Sequence, residues 1–180
     1  MKFKMLKATF AAMILMASGF ANAALIYSDE TSITASGQSF SDSVTLSELY
    51  ENVVLNFVAK GDFGSNRLVE TISFSIDGVN LLVWTWDTPG ITVVSNFDNY
   101  DVTMSGTISI SQLLWSTLAS DDVLNFVWQN SQAVNPYPTQ GGSDFVSFSL
   151  TGDIVETPEP STLAILALGL IGLGARRFKK

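Results

Sequence analysis

The chain has 180 residues, 47% of them hydrophobic, a formal net charge of −8, and neither cysteine nor histidine. That length suits one domain with a real core and is too short for two ordinary ones. The two missing residue types exclude disulfides, cysteine-bearing zinc sites, cysteine nucleophiles and histidine general bases. Charge is segregated. Lys2, Lys4 and Lys7 open the chain, Arg176, Arg177, Lys179 and Lys180 close it, and only Lys60 and Arg67 lie between. Residues 24–157 set those two cations against sixteen acids, a net −14. Such a body repels nucleic acid and anionic membrane surfaces, so no nucleic-acid partner is expected.

In chain order, residues 1–23 read as a signal peptide: three lysines, an apolar run from Ala8 to Phe20, then Ala21-Asn22-Ala23. Small side chains at Ala21 and Ala23 fit the narrow subsites of signal peptidase and place the cut between Ala23 and Ala24.

Residues 24–156 form the domain, and their periodicity is two, which predicts strands. Residues 53–59 are the first candidate. Ile72, Phe74 and Ile76 then alternate with Ser73 and Ser75, and Asp77-Gly78 supplies a hairpin turn before residues 79–86. Val102, Met104, Gly106, Ile108 and Ile110 alternate with serine and threonine, predicting apolar side chains inward and hydroxyls outward. Residues 112–119 have the one helical pattern, and residues 123–128 and 145–150 complete the strand candidates. Gly61, Gly64, Pro89-Gly90, Pro136, Pro138 and Gly141-Gly142 separate them. The expected fold is all-β, an antiparallel β-sandwich of jelly-roll type. Phe57, Phe74, Trp84, Trp86, Trp115, Phe126, Trp128 and Phe148 would fill the space between the sheets.

Residues 157–180 have three parts: Pro158-Glu159-Pro160-Ser161, an uncharged Leu/Ala/Gly run to Ala175, and the basic tail. Paired prolines hold an extended, accessible segment suited to a protease cleft. The apolar run, about 15 residues or roughly 22 Å as a helix, predicts a short membrane helix. The basic tail would stay cytoplasmic and leave the acidic body outside. This layout resembles the PEP-CTERM sorting signal of exported proteins in Gram-negative bacteria. The resemblance implies recognition by an exosortase, a transpeptidase-like membrane protease acting near Pro158-Glu159-Pro160. It also implies a cell-surface or extracellular-matrix destination in an exopolysaccharide or biofilm setting.

Chemistry in the middle is sparse. Glycan hydrolysis needs two carboxylates about 5–10 Å apart, and Asp121-Asp122, Glu48/Glu51 and Asp98/Asp101 are the nominees. They read better as solvated loop acids. A Ser-Lys dyad would have to use Lys60, and no serine partner is evident. Asn96, Asp98, Asn99 and Asp101 crowd one loop with the hard oxygen ligands Ca²⁺ takes, though β-turns use the same residues. Trp84, Trp86 and the tyrosine of Asn135-Pro136-Tyr137-Pro138 would be the elements of a sugar-stacking platform; the tryptophans read better as core. The sequence therefore predicts a non-enzymatic structural or adhesive protein without a cofactor. A lectin-like polysaccharide-binding module, with or without Ca²⁺, is the alternative.

Overall fold

The computed structural model describes residues 23–136 and 141–155. Its strands, the clearest of them built by alternation of apolar and hydroxyl side chains, are in chain order β1 (Ala23–Ser32), β2 (Ser39–Thr45), β3 (Tyr50–Gly61), β4 (Ile72–Ile76), β5 (Val79–Trp84), β6 (Thr92–Phe97) and β7 (Asp101–Ser109). Helix α1 (Gln112–Leu118) follows, then β8 (Val123–Asn130) and β9 (Phe145–Ile154). All pairings are antiparallel, in a five-stranded sheet ordered β1-β9-β3-β7-β6 and a four-stranded sheet ordered β2-β8-β4-β5. Leaving out β6, the chain crosses between sheets in the order of a jelly roll, the type of sandwich expected above. Strand β6 adds an edge to the larger sheet.

The expected register holds. Val102 and Met104 of β7 and Phe74 of β4 are fully buried, and the serines and threonines between them face outward. Phe57 meets Phe74 and Trp84 edge-on at ring separations of 5.4 and 5.3 Å, and Phe74 lies 4.7 Å from Phe148. Phe126 stacks on Tyr27 at 5.0 Å. Each such pair adds about 0.5–1.5 kcal/mol beyond the area it buries. Trp86 is the exception to the predicted core. Strand β5 ends at Trp84, and Trp86 lies in the following turn, half-buried.

Asp77 and Gly78 take positive φ values of 49° and 76°, the geometry of a tight hairpin whose twist matches its strands. The Asp77 carboxylate also accepts from the Asn125 backbone and side chain, at 2.9 and 2.8 Å, fastening the turn to β8. In α1, Ser111 caps the N-terminus by accepting from Leu114 N–H, and Trp115 and Leu118 close one end of the core.

Strands β1, β2 and β6 add to the six predicted. β1 carries a bulge between Leu25 and Tyr27 that breaks its alternation. β2 turns Asp42 toward its partner sheet, between Phe40 and Val44. β6 is an edge strand exposed on nearly all its length. The inward Asp42 is used: the Tyr27 hydroxyl of β1 donates to its carboxylate, linking the two sheets at one side. That bond holds Asp42 below the usual carboxyl range, helped by the Ser43 N–H. It pushes the Tyr27 phenol up to about 12, with burial and the Asp42 and Asp29 charges adding. A lowered carboxyl contributes stability above its unfolded value that is lost as pH falls through the folded one. Asp42→Asn is therefore expected to weaken the fold at pH 7 and to flatten the acid limb of the stability curve. Urea midpoints at pH 7 and pH 3 measure both effects.

Candidate functional site

The jelly roll gives the domain two unlike ends. At one, the base, β1 begins and β9 finishes side by side, with Ala23 opposite Asp153 and Ala24 opposite Gly152. The β2–β3 turn and α1 complete the base. At the far end β3 stops at Gly61, β7 and β9 begin, and residues 62–71, 98–100, 131–136 and 141–144 belong to the surrounding loops.

Buried acids gather at the far end. Asp101 is fully buried, and its carboxylate lies 2.8 Å from Lys60 Nζ. Lys60, the sole lysine of the body, also donates to the backbone oxygens of Gly141 and Ser143 at 3.1 and 3.0 Å. Its role is thus to neutralise a buried acid and tie down the β8–β9 loop. A Cβ on Gly141, whose φ is +82°, would fall 1.6 Å from an Asp101 carboxylate oxygen, so the close approach requires glycine.

Asp62 and Glu70, 2% and 1% exposed, flank the Ser65 hydroxyl, at 2.6 and 2.8 Å. Asn66 N–H donates to the other Glu70 oxygen at 2.7 Å. One hydroxyl hydrogen cannot point at both acceptors at once, so the two buried carboxyls share a single donor. Burial raises Glu70 above its ordinary range, against the lowering effect of the Asn66 and Ser65 bonds and with help from the Asp62 charge. A raised carboxyl contributes stability that is complete below its unfolded value and is lost as pH rises through the folded one. Glu70→Gln, which keeps a donor toward Ser65, is expected to reduce the loss of stability between pH 5 and pH 8. Paired urea titrations at those pH values, compared with the wild type, check it.

The nominated pairs behave differently. Asp121 accepts from Val123 N–H at 3.2 Å and Asp122 has φ +60°, which makes both turn residues. Glu51 is exposed in β3 and Glu48 lines a hollow at the base. Asp98 and Asp101 separate, Asp101 inward to Lys60 and Asp98 to a shallow hollow. The carboxylates that do meet, Asp62 and Glu70, sit eight positions apart in one loop. Nothing local in the sequence points to that burial, since Asp62 and Glu70 have the composition of ordinary solvated loop acids.

Of the loop nominated for calcium, Asn96 donates to Asp101 at 3.3 Å and to Thr103 at 2.8 Å. Asp98 and Asn99 line the shallow hollow of about 590 Å³ with Ser65, Ser95 and Tyr100. Among the described residues no three acidic side chains converge. The stacking platform fails at its centre. Trp84 is 5% exposed, its ring edge-on to Phe57, and the Arg67 guanidinium covers Trp86 at 4.0 Å. Tyr137 and Pro138 lie outside the described residues, as do Ala21 and the tail residues Pro158, Glu159, Pro160, Ser161, Arg176, Arg177, Lys179 and Lys180. The predicted signal-peptide and membrane helices fall there too; among the described residues no helix is long and apolar enough to cross a membrane.

At the base, Val155 N–H donates to Leu49 O at 2.9 Å. Leu46, Leu49, Tyr50, Trp115 and Val155 line a hollow of about 240 Å³ beside that bond. The next residue, Glu156, opens the stretch 156–179 that matches the family described as the PEP-CTERM protein-sorting motif. A comparison with curated proteins gave no match for the chain. The chain carries a PEP-CTERM sorting signal directly after β9, and is an exported protein sorted by an exosortase system.

Proposed function

We propose that the β-sandwich is a non-enzymatic structural or adhesive module of the cell surface or extracellular matrix. Signal peptidase would release it at Ala24, and exosortase would process it near Pro158-Glu159-Pro160. The observation that carries this reading is the shared exit of both strand ends at the base, next to the sorting signal. A domain held there extends its far-end loops away from the membrane and leaves the outer faces of its sheets open at the sides.

Those faces suit a hydrated polysaccharide. Ser28, Ser149, Asn56 and Thr107 form one row across four strands, and Glu30, Ser147, Val58, Ser105 and Thr92 form another across five. Short hydroxyls and amides exchange hydrogen bonds with neutral sugars at little cost in side-chain entropy. The net −14 of the body keeps copies apart at high density. Deleting the gene should weaken cohesion of the matrix, and deleting residues 156–180 should remove the protein from it. Unchanged cohesion, or a matrix free of the wild-type protein, would refute the reading.

A lectin-like module is favoured by one feature, the hollow in which Asp98, Asn99, Ser65 and Ser95 surround Tyr100, a ring 48% exposed. Carboxylate, amide and aromatic groups together are a sugar-binding set. Binding of the mature protein to a glycan array, repeated with EDTA and with Tyr100→Ala, separates the two readings. Sugar binding that Tyr100→Ala abolishes would favour the lectin.

A further inference from the structure

Beyond the sorting signal itself, we propose that the base of the sandwich is a docking surface for the exosortase that processes the chain. The proposal rests on the exosortase reading of residues 156–179. Reach is the first consideration. Val155 lines the base hollow, and Pro158 lies three residues further on, at most about 11 Å away along an extended chain. Ser161, where the apolar run begins, is at most about 22 Å away. An enzyme holding Pro158-Glu159-Pro160 in its cleft therefore has the base against its outer surface.

The base is also built for contact. Leu49 and Val155, which line the hollow, are 63% and 37% exposed, and at the same end Leu113 and Ile154 are 82% and 44% exposed. Leu113 projects from the helix whose Trp115 forms part of the lining, and Ile154 pairs with Tyr50, another lining residue. Apolar side chains grouped beside a processing site mark an interaction surface, whereas single exposed leucines elsewhere need no explanation.

Charge selects the partner. Glu48 and Asp122 line the hollow, Asp121 adjoins Asp122, and Glu51 and Asp153 pair one position from Tyr50 and Ile154, while Lys60 and Arg67, the body's two cations, belong to the far end. Such a rim opposes an anionic lipid surface and complements a protein surface with basic side chains around an apolar centre. The fitting occupant is thus the enzyme's own exterior beside its cleft, in preference to the bilayer.

The test follows precursor loss by pulse-chase of the full-length chain in cells containing the exosortase. It compares wild type with the double variant Leu49→Glu/Leu113→Glu and with Leu68→Glu, an 85% exposed leucine of the 62–71 loop. The double variant is expected to slow processing about tenfold with an unchanged melting temperature, because both side chains lie outside the core. Leu68→Glu should process at the wild-type rate. The difference should persist with detergent-solubilised exosortase, where no bilayer is present. Equal rates for wild type and double variant, or a difference that vanishes in detergent, would overturn the docking proposal. Wild-type precursor that survives with exosortase present, or is lost without it, would overturn the processing reading beneath it and the docking proposal with it.

Discussion

Lys60→Met is expected to destabilise the domain by about 3–5 kcal/mol, a large share of the roughly 5–15 kcal/mol typical of one domain. The lysine side chain is 13% exposed and its partner, Asp101, is not exposed at all. Methionine preserves much of the stem's packing but leaves a buried carboxylate facing methylene groups. It also abandons the carbonyls of Gly141 and Ser143, so the β8–β9 loop should loosen with the rest. Asp101→Asn should cost less, because the ammonium it leaves without a counter-charge keeps the carbonyls of Gly141 and Ser143 and some contact with water, while Asn96 remains beside the new amide. Lys60→Met combined with Asp101→Leu should recover part of the loss, since the penalty comes from an unpaired charge rather than from a missing attraction. Urea denaturation of the four proteins at one pH decides this. Equal stabilities for the single Lys60→Met variant and the wild type would show the pair to be idle.

Phe74→Ala is expected to cost a similar amount, about 3–5 kcal/mol, for an unrelated reason. Phe74 belongs to the smaller sheet and is fully buried. Its ring packs against Phe57 and Phe148 of the larger sheet and against Phe126 of its own, at centroid distances of 5.4, 4.7 and 6.2 Å. Alanine would open a cavity at the point where the two layers interlock, and neighbouring aromatic rings are too rigid to fill it. Phe40→Ala provides the contrast. Phe40 lies on edge strand β2, half-buried, with its ring 6.0 Å from Trp128, and its loss should be smaller. Thermal and urea midpoints for the two variants should separate clearly.

These two sites also mark what the sequence makes legible. Phe74 announces itself, because Ile72, Phe74 and Ile76 alternate with serines and end at Asp77-Gly78. Period, turn chemistry and burial agree there, and the same agreement at 102–110 makes the sandwich readable. Strands β1, β2 and β6 lack it for separate physical reasons. A bulge shifts the phase of β1, an inward Asp42 answers a tyrosine 15 positions away, and β6 has little to bury at its edge. Long-range polar pairing is the common obstacle. Lys60 meets Asp101 across the β3–β7 ladder, and nothing local to either residue signals it. Asp62 and Glu70 read as ordinary loop acids until the loop folds them around Ser65.

The functional signal is distributed the other way. Sorting is written in contiguous residues, where Pro158-Glu159-Pro160, an apolar run and a basic tail act as a linear address. A linear address needs no tertiary structure to be read. The structure adds the geometry on the near side of that address: a strand end fastened by Val155 to Leu49, at the same end as the Ala23–Ala24 peptide bond. The Ala23–Ala24 cut would remove one residue from the edge strand β1 and leave the pairing of Ala24 with Gly152 in place. Both proposed cuts would therefore leave the core and its sheets intact.

The intact mass of the protein collected outside the inner membrane tests all of this most directly. It should match a polypeptide that starts at Ala24 and stops close to Pro158-Glu159-Pro160, well short of the 19.4 kDa of the whole chain. A 19.4 kDa species, with Met1 and Lys180 both present and found only in the cytosol, would contradict export and sorting alike.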